Sequence, residues 1–240
     1  MKRCLSLLAS SLLFTTLSLA QQPAPATTAH SAHPAPPGPA PSADKVWSEL
    51  VAGNKRFVAG KHRAQNVVSL RKKLAAGQHP NVIVLSCSDS RVAPELVFDQ
   101  ALGDLFVVRT AGNVADPVGL GSIEYAIDHI HSPLLVVLGH QKCGAVTAAC
   151  SGEKMPTRNL DAIVDKINPA VNKAKSSAKG DELIETAVKE NVHQSAQDLV
   201  ANSDVVREAV KAAKLTIVEA EYQLESGEVV RLNTPSGAQN

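Results

Sequence analysis

Two short segments carry most of the reactive side chains in this 240-residue sequence. The first reads Cys87-Ser88-Asp89-Ser90-Arg91 and the second His140-Gln141-Lys142-Cys143-Gly144. Together they offer two thiols, an imidazole and a carboxylate, the S, N and O donors that zinc takes. The His-x-x-Cys spacing lets one turn present both donors to a single ion. Other chemistries use the same residue types. A cysteine after a buried strand is often a small apolar filler. Cys87 and Arg91 suggest a cysteine phosphatase loop, but no glycine lies between them to help present amides to phosphate. In an oxidising compartment Cys87 and Cys143 could instead form a disulfide. Either segment alone leaves these readings open. Both at strand ends, with Asp89 and Arg91 alongside, favour metal binding.

The elements that must position these residues are legible from hydrophobic periodicity. Val82–Leu85 is an apolar, β-branched-rich run that predicts a buried strand, and Leu134–Leu138, opened by Pro133, predicts another. Each motif lies just past the C-terminal end of one of these runs, the rim where open α/β sheets bind ligands. The separation of 53 positions from Cys87 to His140 leaves room for a strand at Leu105–Val108 and a helix at Ser122–His131. Upstream, helices are expected over Asp44–Ala59 and Val68–Ala76. Downstream, a helix starts at Ala145–Ala149, and Asp161–Lys175 and Asp181–Lys214 supply more. Leu215–Glu219, Tyr222–Leu224 and Val229–Leu232 are strand material, with Ser226-Gly227 as a turn. Alternating buried strands and helices predict an α/β domain over 44–240, a mainly parallel sheet flanked by helices.

The N-terminus reads differently. Met1–Arg3 is basic, Leu5–Leu19 is apolar apart from Ser and Thr, and Ser18-Leu19-Ala20 places small residues before a cut at Gln21. That pattern predicts a secretory signal over 1–20 and an exported protein, periplasmic or secreted, with no stable membrane span after cleavage. Residues 21–43 carry seven prolines and read as an extended linker, in which His30 and His33 are solvated. Lys2 and Arg3 leave with the signal, so the 24 Lys+Arg fall to 22 against 23 Asp+Glu. Near-neutral charge and 3% aromatics give no electrostatic or stacking support for nucleic-acid binding. Four cysteines are too few for a disulfide scaffold. Cys4 leaves with the signal, and Cys150 reads as a packed helix residue.

From about Val46 to Leu232 the chain resembles a β-class carbonic anhydrase. The resemblance rests on the Cys87–Arg91 and Gly139-His140-x-x-Cys143-Gly144 segments. It extends to Val97-Phe98-Asp99-Gln100, Gly103–Arg109, Ala111-Gly112-Asn113 and Gly121–Ala126, which follow in order at suitable spacing. Glu219 stands where the family often has Gly, a departure that touches strand geometry rather than the metal site.

The resemblance implies one Zn²⁺ per chain on Cys87, His140 and Cys143. Water takes the fourth position in the active state, and Asp89 takes it when the site is closed. It implies reversible hydration of carbon dioxide to bicarbonate, with Arg91 pairing to Asp89. Gln78, Phe106, Tyr125 and the Gly144 amide are implied pocket positions, completed across the interface of a homodimer or higher oligomer. Gln78, Phe106 and Tyr125 together favour the subgroup without an additional inhibitory bicarbonate site. Two other functions share the scaffold: hydrolysis of a CO₂-like molecule such as carbonyl sulfide or carbon disulfide, and non-catalytic zinc or bicarbonate binding. The Asp89–Arg91 pair argues against mere metal retention. Taken alone, Gln78 reads as a loop residue and Phe106 as core. His129 and His131 read as solvated or capping residues at a helix end.

Overall fold

Six consecutive residues with no exposed position, Val82–Cys87, form β1, an interior strand of the sheet. The structure, a computed structural model, describes residues 41–232. The predicted signal 1–20, most of the linker 21–43, and Cys4, His30 and His33 lie outside the described residues. β1 pairs in parallel with β2 (Leu105–Thr110) on one side and β3 (Leu134–His140) on the other. β3 pairs in parallel with β4 (Thr216–Tyr222), and β5 (Val229–Arg231) closes the sheet antiparallel to β4. The order is β2-β1-β3-β4-β5, so the mainly parallel α/β architecture expected from the sequence is the one observed.

Helices cover both faces, which is why β1 and β3 are buried at every position and run apolar over Val82–Leu85 and Leu134–Leu138 rather than alternating. Ile83, Leu85, Leu135 and Val137 face one side, where they meet Ile123 of α4 (Pro117–Tyr125), Leu199 of α7 (Asp181–Asn202) and Val206 of α8 (Asp204–Lys211). Val82, Val84, Leu134 and Val136 face the other, against Val46 and Leu50 of α1 (Ala43–Val58) and against Phe98. Each fully buried Val, Leu or Ile contributes roughly 1.5–3 kcal/mol of transfer free energy. The remaining helices are α2 (Val67–Leu74), α3 (Pro94–Val97), α5 (Gly144–Ser151) and α6 (Arg158–Ala174). No helix among the described residues is long and apolar enough to cross a membrane.

Several boundaries differ from the sequence reading. The helix expected at Ser122 starts at Pro117, where the Asp116 side chain accepts from the Gly119 amide at 2.6 Å. It continues as a π-turn over Ala126–Ile130 and stops at His131, whose φ is 64°. The long helix expected over Asp181–Lys214 is two helices broken at Ser203. The extended backbone there lets its hydroxyl accept from the Val206 amide at 3.1 Å. The two strands expected at Leu215–Glu219 and Tyr222–Leu224 are one strand, β4. Glu219 and Glu221 interrupt the apolar run in sequence, yet both are buried. Nδ1 of His193 on α7 lies 3.2 Å from the Glu219 carboxylate.

Candidate metal centre

Parallel pairing puts the C-terminal ends of β1 and β3 at the same rim. β1 ends in Cys87 and β3 in His140, and the following turn, with Lys142 at φ 53°, delivers Cys143 as N-cap of α5. All three residues are buried, and their donor atoms lie within 4.8 Å of one another. Gly139 makes this approach possible. A Cβ there would sit 2.4 Å from the Val192 side chain of α7, so only glycine lets the helix pack over the strand beside His140. Val114, Val146, Ile167, Val171 and Val188 form the apolar surroundings of the two thiols.

The donor geometry suits a metal ion. The sulfurs of Cys87 and Cys143 are 4.0 Å apart, and both cysteines are free. Two thiolates at about 2.3 Å from a tetrahedral zinc would sit roughly 3.8 Å apart, whereas a disulfide needs about 2.05 Å. Nδ1 of His140 lies 2.8 Å from the Gln141 carbonyl, which can only accept, so that nitrogen carries the proton. Nε2 is left as a lone-pair donor, fully buried and without a hydrogen-bond partner. An orphaned imidazole nitrogen beside two sulfurs is the unsatisfied group that a bound cation would complete.

Charge is already poised on the thiols. The Cys87 thiol is pulled well below the usual range by its contact with the Cys143 thiol, and then by His140 and the amides of Asp89 and Gly112, against the opposing effect of burial. Cys143 is pushed up by its hydrogen bond to the Cys87 thiol, by burial and by the charge on Cys87. Burial opposes protonation of His140, but the Cys87 thiolate outweighs it and draws that group's pKa upward. The Gly112 amide donates to the Cys87 sulfur at 3.3 Å. Gly112 has φ 70°, and its carbonyl accepts from Asn191 of α7 at 2.7 Å.

Asp89 lies at the mouth of this cluster. Its carboxylate is paired with Arg91, whose hydrogen bonds hold it well below the usual carboxylate range. Its Oδ2 is 3.8 Å from Nε2 of His140, beyond hydrogen-bond reach. Gly144 is the first residue of α5, and the space where its side chain would be is open.

The other expected pocket residues lie elsewhere in the chain. The rings of Phe106 and Tyr125 are 6.3 Å apart. Phe106 pairs with Ile83, four strand positions back from the rim that carries Cys87. Gln78 precedes β1, at the opposite end of that strand. Within one chain, then, the structure unites Cys87, Asp89, Arg91, His140, Cys143 and Gly144 and leaves Gln78, Phe106 and Tyr125 apart from them.

Sequence reading assigned no role to Arg109, Gly112 or Asn191, although all three touch the Cys87 loop or its hydrogen-bonded support. Arg109 and Gly112 stand in quoted motifs. Asn191 has no linear signal, being one polar residue in a helix 79 positions after Gly112. Cys150 is half-buried against the apolar surroundings of the site and is not among the converging donors.

Residues 82–229 match the family model described as carbonic anhydrase. Over 190 residues the chain is 42% identical to carbonic anhydrase 2 of Mycobacterium tuberculosis, covering 77% of this chain and 90% of that one. It is 39% identical over 189 residues to a carbonic anhydrase of Mycolicibacterium smegmatis, with the same coverage of 77% and 90%. Among solved structures it superposes on the β-carbonic anhydrase CafA of Aspergillus fumigatus with a TM-score of 0.65 at 29% identity. That match covers 78% of this chain and 91% of that one.

Proposed function

We propose, from the premise that this chain belongs to the β-class carbonic anhydrases, that it hydrates carbon dioxide reversibly using one zinc ion held by Cys87, His140 and Cys143. The observation that carries the reading is the convergence of these three buried donors, with Nε2 of His140 unpartnered. The two thiolates neutralise the dication and the imidazole adds no charge. Zinc, when bound, supplies the Lewis acidity that makes hydroxide available near neutral pH.

The protein's own residues then divide the work. Arg91 holds the Asp89 carboxylate ionised and turned from the ligand set. Asp89 accepts a hydrogen bond from the attacking oxygen and so orients its lone pair toward carbon dioxide. The Gly144 amide, at the start of α5, donates to the developing bicarbonate. The balanced reaction consumes one water and one carbon dioxide and yields bicarbonate and a proton. Gln78, Phe106 and Tyr125 complete the pocket across a homodimer interface, which accounts for their separation from Cys87 within one chain. The signal pattern in residues 1–20 supports a periplasmic or secreted enzyme.

Stopped-flow carbon dioxide hydration, with zinc measured on the same sample, tests the reading. The expected result is one zinc per chain and hydration that disappears with chelation. One zinc per chain without hydration would reject it.

A further inference from the structure

Two neighbouring residues of β2 hold the last residue of β1 and the two that follow it. The Thr110 carbonyl accepts from the Ser88 amide at 3.1 Å, extending the parallel ladder one step past Cys87. The Arg109 guanidinium then reaches across the loop. Its Nε donates to the Cys87 carbonyl at 3.0 Å, and its Nη2 donates to the Asp89 carbonyl at 2.6 Å. The Asp89 carbonyl also accepts from the Val92 amide at 3.0 Å, so the strand end and the turn after it are tied to one cation.

These bonds run to backbone carbonyls, whereas the Asp89 carboxylate is taken by Arg91. Arg109 therefore fixes the peptide units from which the Cys87 sulfur and the Asp89 carboxylate project. The arrangement suits a planar guanidinium, which presents several N–H donors in a rigid fork; a lysine ammonium is a single point on a flexible stem. We infer that Arg109 is a positioning residue for the hydration reaction, a clamp on the 87–89 peptide units that keeps Asp89 on Arg91 and away from the metal ligands. The inference rests on the zinc-hydration reading above. Without the clamp, the carboxylate has little distance to cover, since its Oδ2 already lies 3.8 Å from Nε2 of His140.

Zinc-loaded wild type, Arg109→Ala and Arg109→Lys test the clamp. The readouts are hydration kcat and KM, zinc per chain, melting temperature, amide exchange at Ser88 and Val92, and the absorption spectrum of the cobalt-substituted protein. Both variants are expected to lose about tenfold or more in kcat, the scale of losing charge-assisted hydrogen bonds, with KM changed less. Zinc stays at one per chain and melting falls by a few degrees at most. Exchange quickens at Ser88 and Val92 without spreading through the sheet, and the cobalt spectrum shifts as a carboxylate enters the ligand set. Wild-type kcat and exchange in Arg109→Ala would overturn the clamp. So would full activity in Arg109→Lys, which would make charge alone sufficient, or a loss of kcat matched by lost zinc and sheet-wide exchange. A wild type inactive in hydration would overturn the functional reading itself, and the positioning role with it.

Discussion

Asp89 accepts three hydrogen bonds from Arg91: the backbone amide and Nε reach Oδ1 at 2.9 and 3.0 Å, and Nη2 reaches Oδ2 at 2.7 Å. The Arg91 side chain is 54% exposed, so the pair adds little to global stability. Its consequence is directional, because it turns both carboxylate oxygens toward the guanidinium.

Arg91→Ala is therefore expected to abolish most turnover, by about a hundredfold or more, while zinc content stays at one per chain. Hydration kinetics and metal analysis on one preparation check this. Near-normal turnover in a metal-replete variant would remove Arg91 from its assigned role.

The 4.0 Å between the sulfurs of Cys87 and Cys143 predicts a redox consequence of metal loss. With a cation between them the thiolates are occupied. Once it is removed, a peroxide-type oxidant converts one thiol to the sulfenic acid, and the other attacks that sulfur and releases water to form the disulfide. Chelated wild type under mild oxidation should lose two titratable thiols per chain, whereas the metal-loaded protein and chelated Cys143→Ser should not. Undiminished thiols in the chelated wild type would contradict this.

Asn191 supports the Cys87 sulfur at one remove, through the Gly112 carbonyl at 2.7 Å. Asn191→Ala leaves that buried carbonyl without its donor, at a cost of about 1–3 kcal/mol. It also loosens the turn whose amide bonds the sulfur. Metal affinity should fall roughly tenfold to a hundredfold, measured by competition with a chromophoric chelator. Unchanged affinity would show that Gly112 needs no support from α7.

Glu221 is 3% exposed, and its Oε1 has no hydrogen-bond partner. Burial raises its pKa, assisted by Glu185 and opposed by Lys189 and His140. The folded protein thus keeps this proton to higher pH than the unfolded chain, whose carboxyl titrates near about 4.3. Stability falls as pH rises from there through the raised folded value, because the folded state binds more protons across that window. Glu221→Gln should match wild type near pH 4 and exceed it at pH 8 by about 1–3 kcal/mol. Denaturant titrations at both pH values decide the matter, and superimposed curves at pH 8 would refute the prediction.

Much of the metal centre was legible in one dimension. Val82–Leu85 and Leu134–Leu138 are apolar enough to be buried strands wherever they pack, and parallel pairing brings their ends to one rim. Cys87 and His140 follow those strands directly, and Cys143 follows His140 by one turn, so local chain geometry carries the donors to the same place. The Asp89–Arg91 pair is likewise short-range. Other features depended on what packs across the sheet. Glu219 and Glu221 hid the continuity of β4, because a polar residue reads as a strand end until His193 and the rest of α7 are seen facing it. Ser203 breaks the long helix by choosing its own side-chain cap over a continued backbone bond. Asn191 reaches Gly112 over 79 positions, and Arg109 reaches the 87–89 carbonyls from the neighbouring strand. Hydrophobic periodicity is a property of adjacent residues and survives in the linear sequence. The partners of buried polar groups are set by which elements pack together, and only the tertiary structure specifies them.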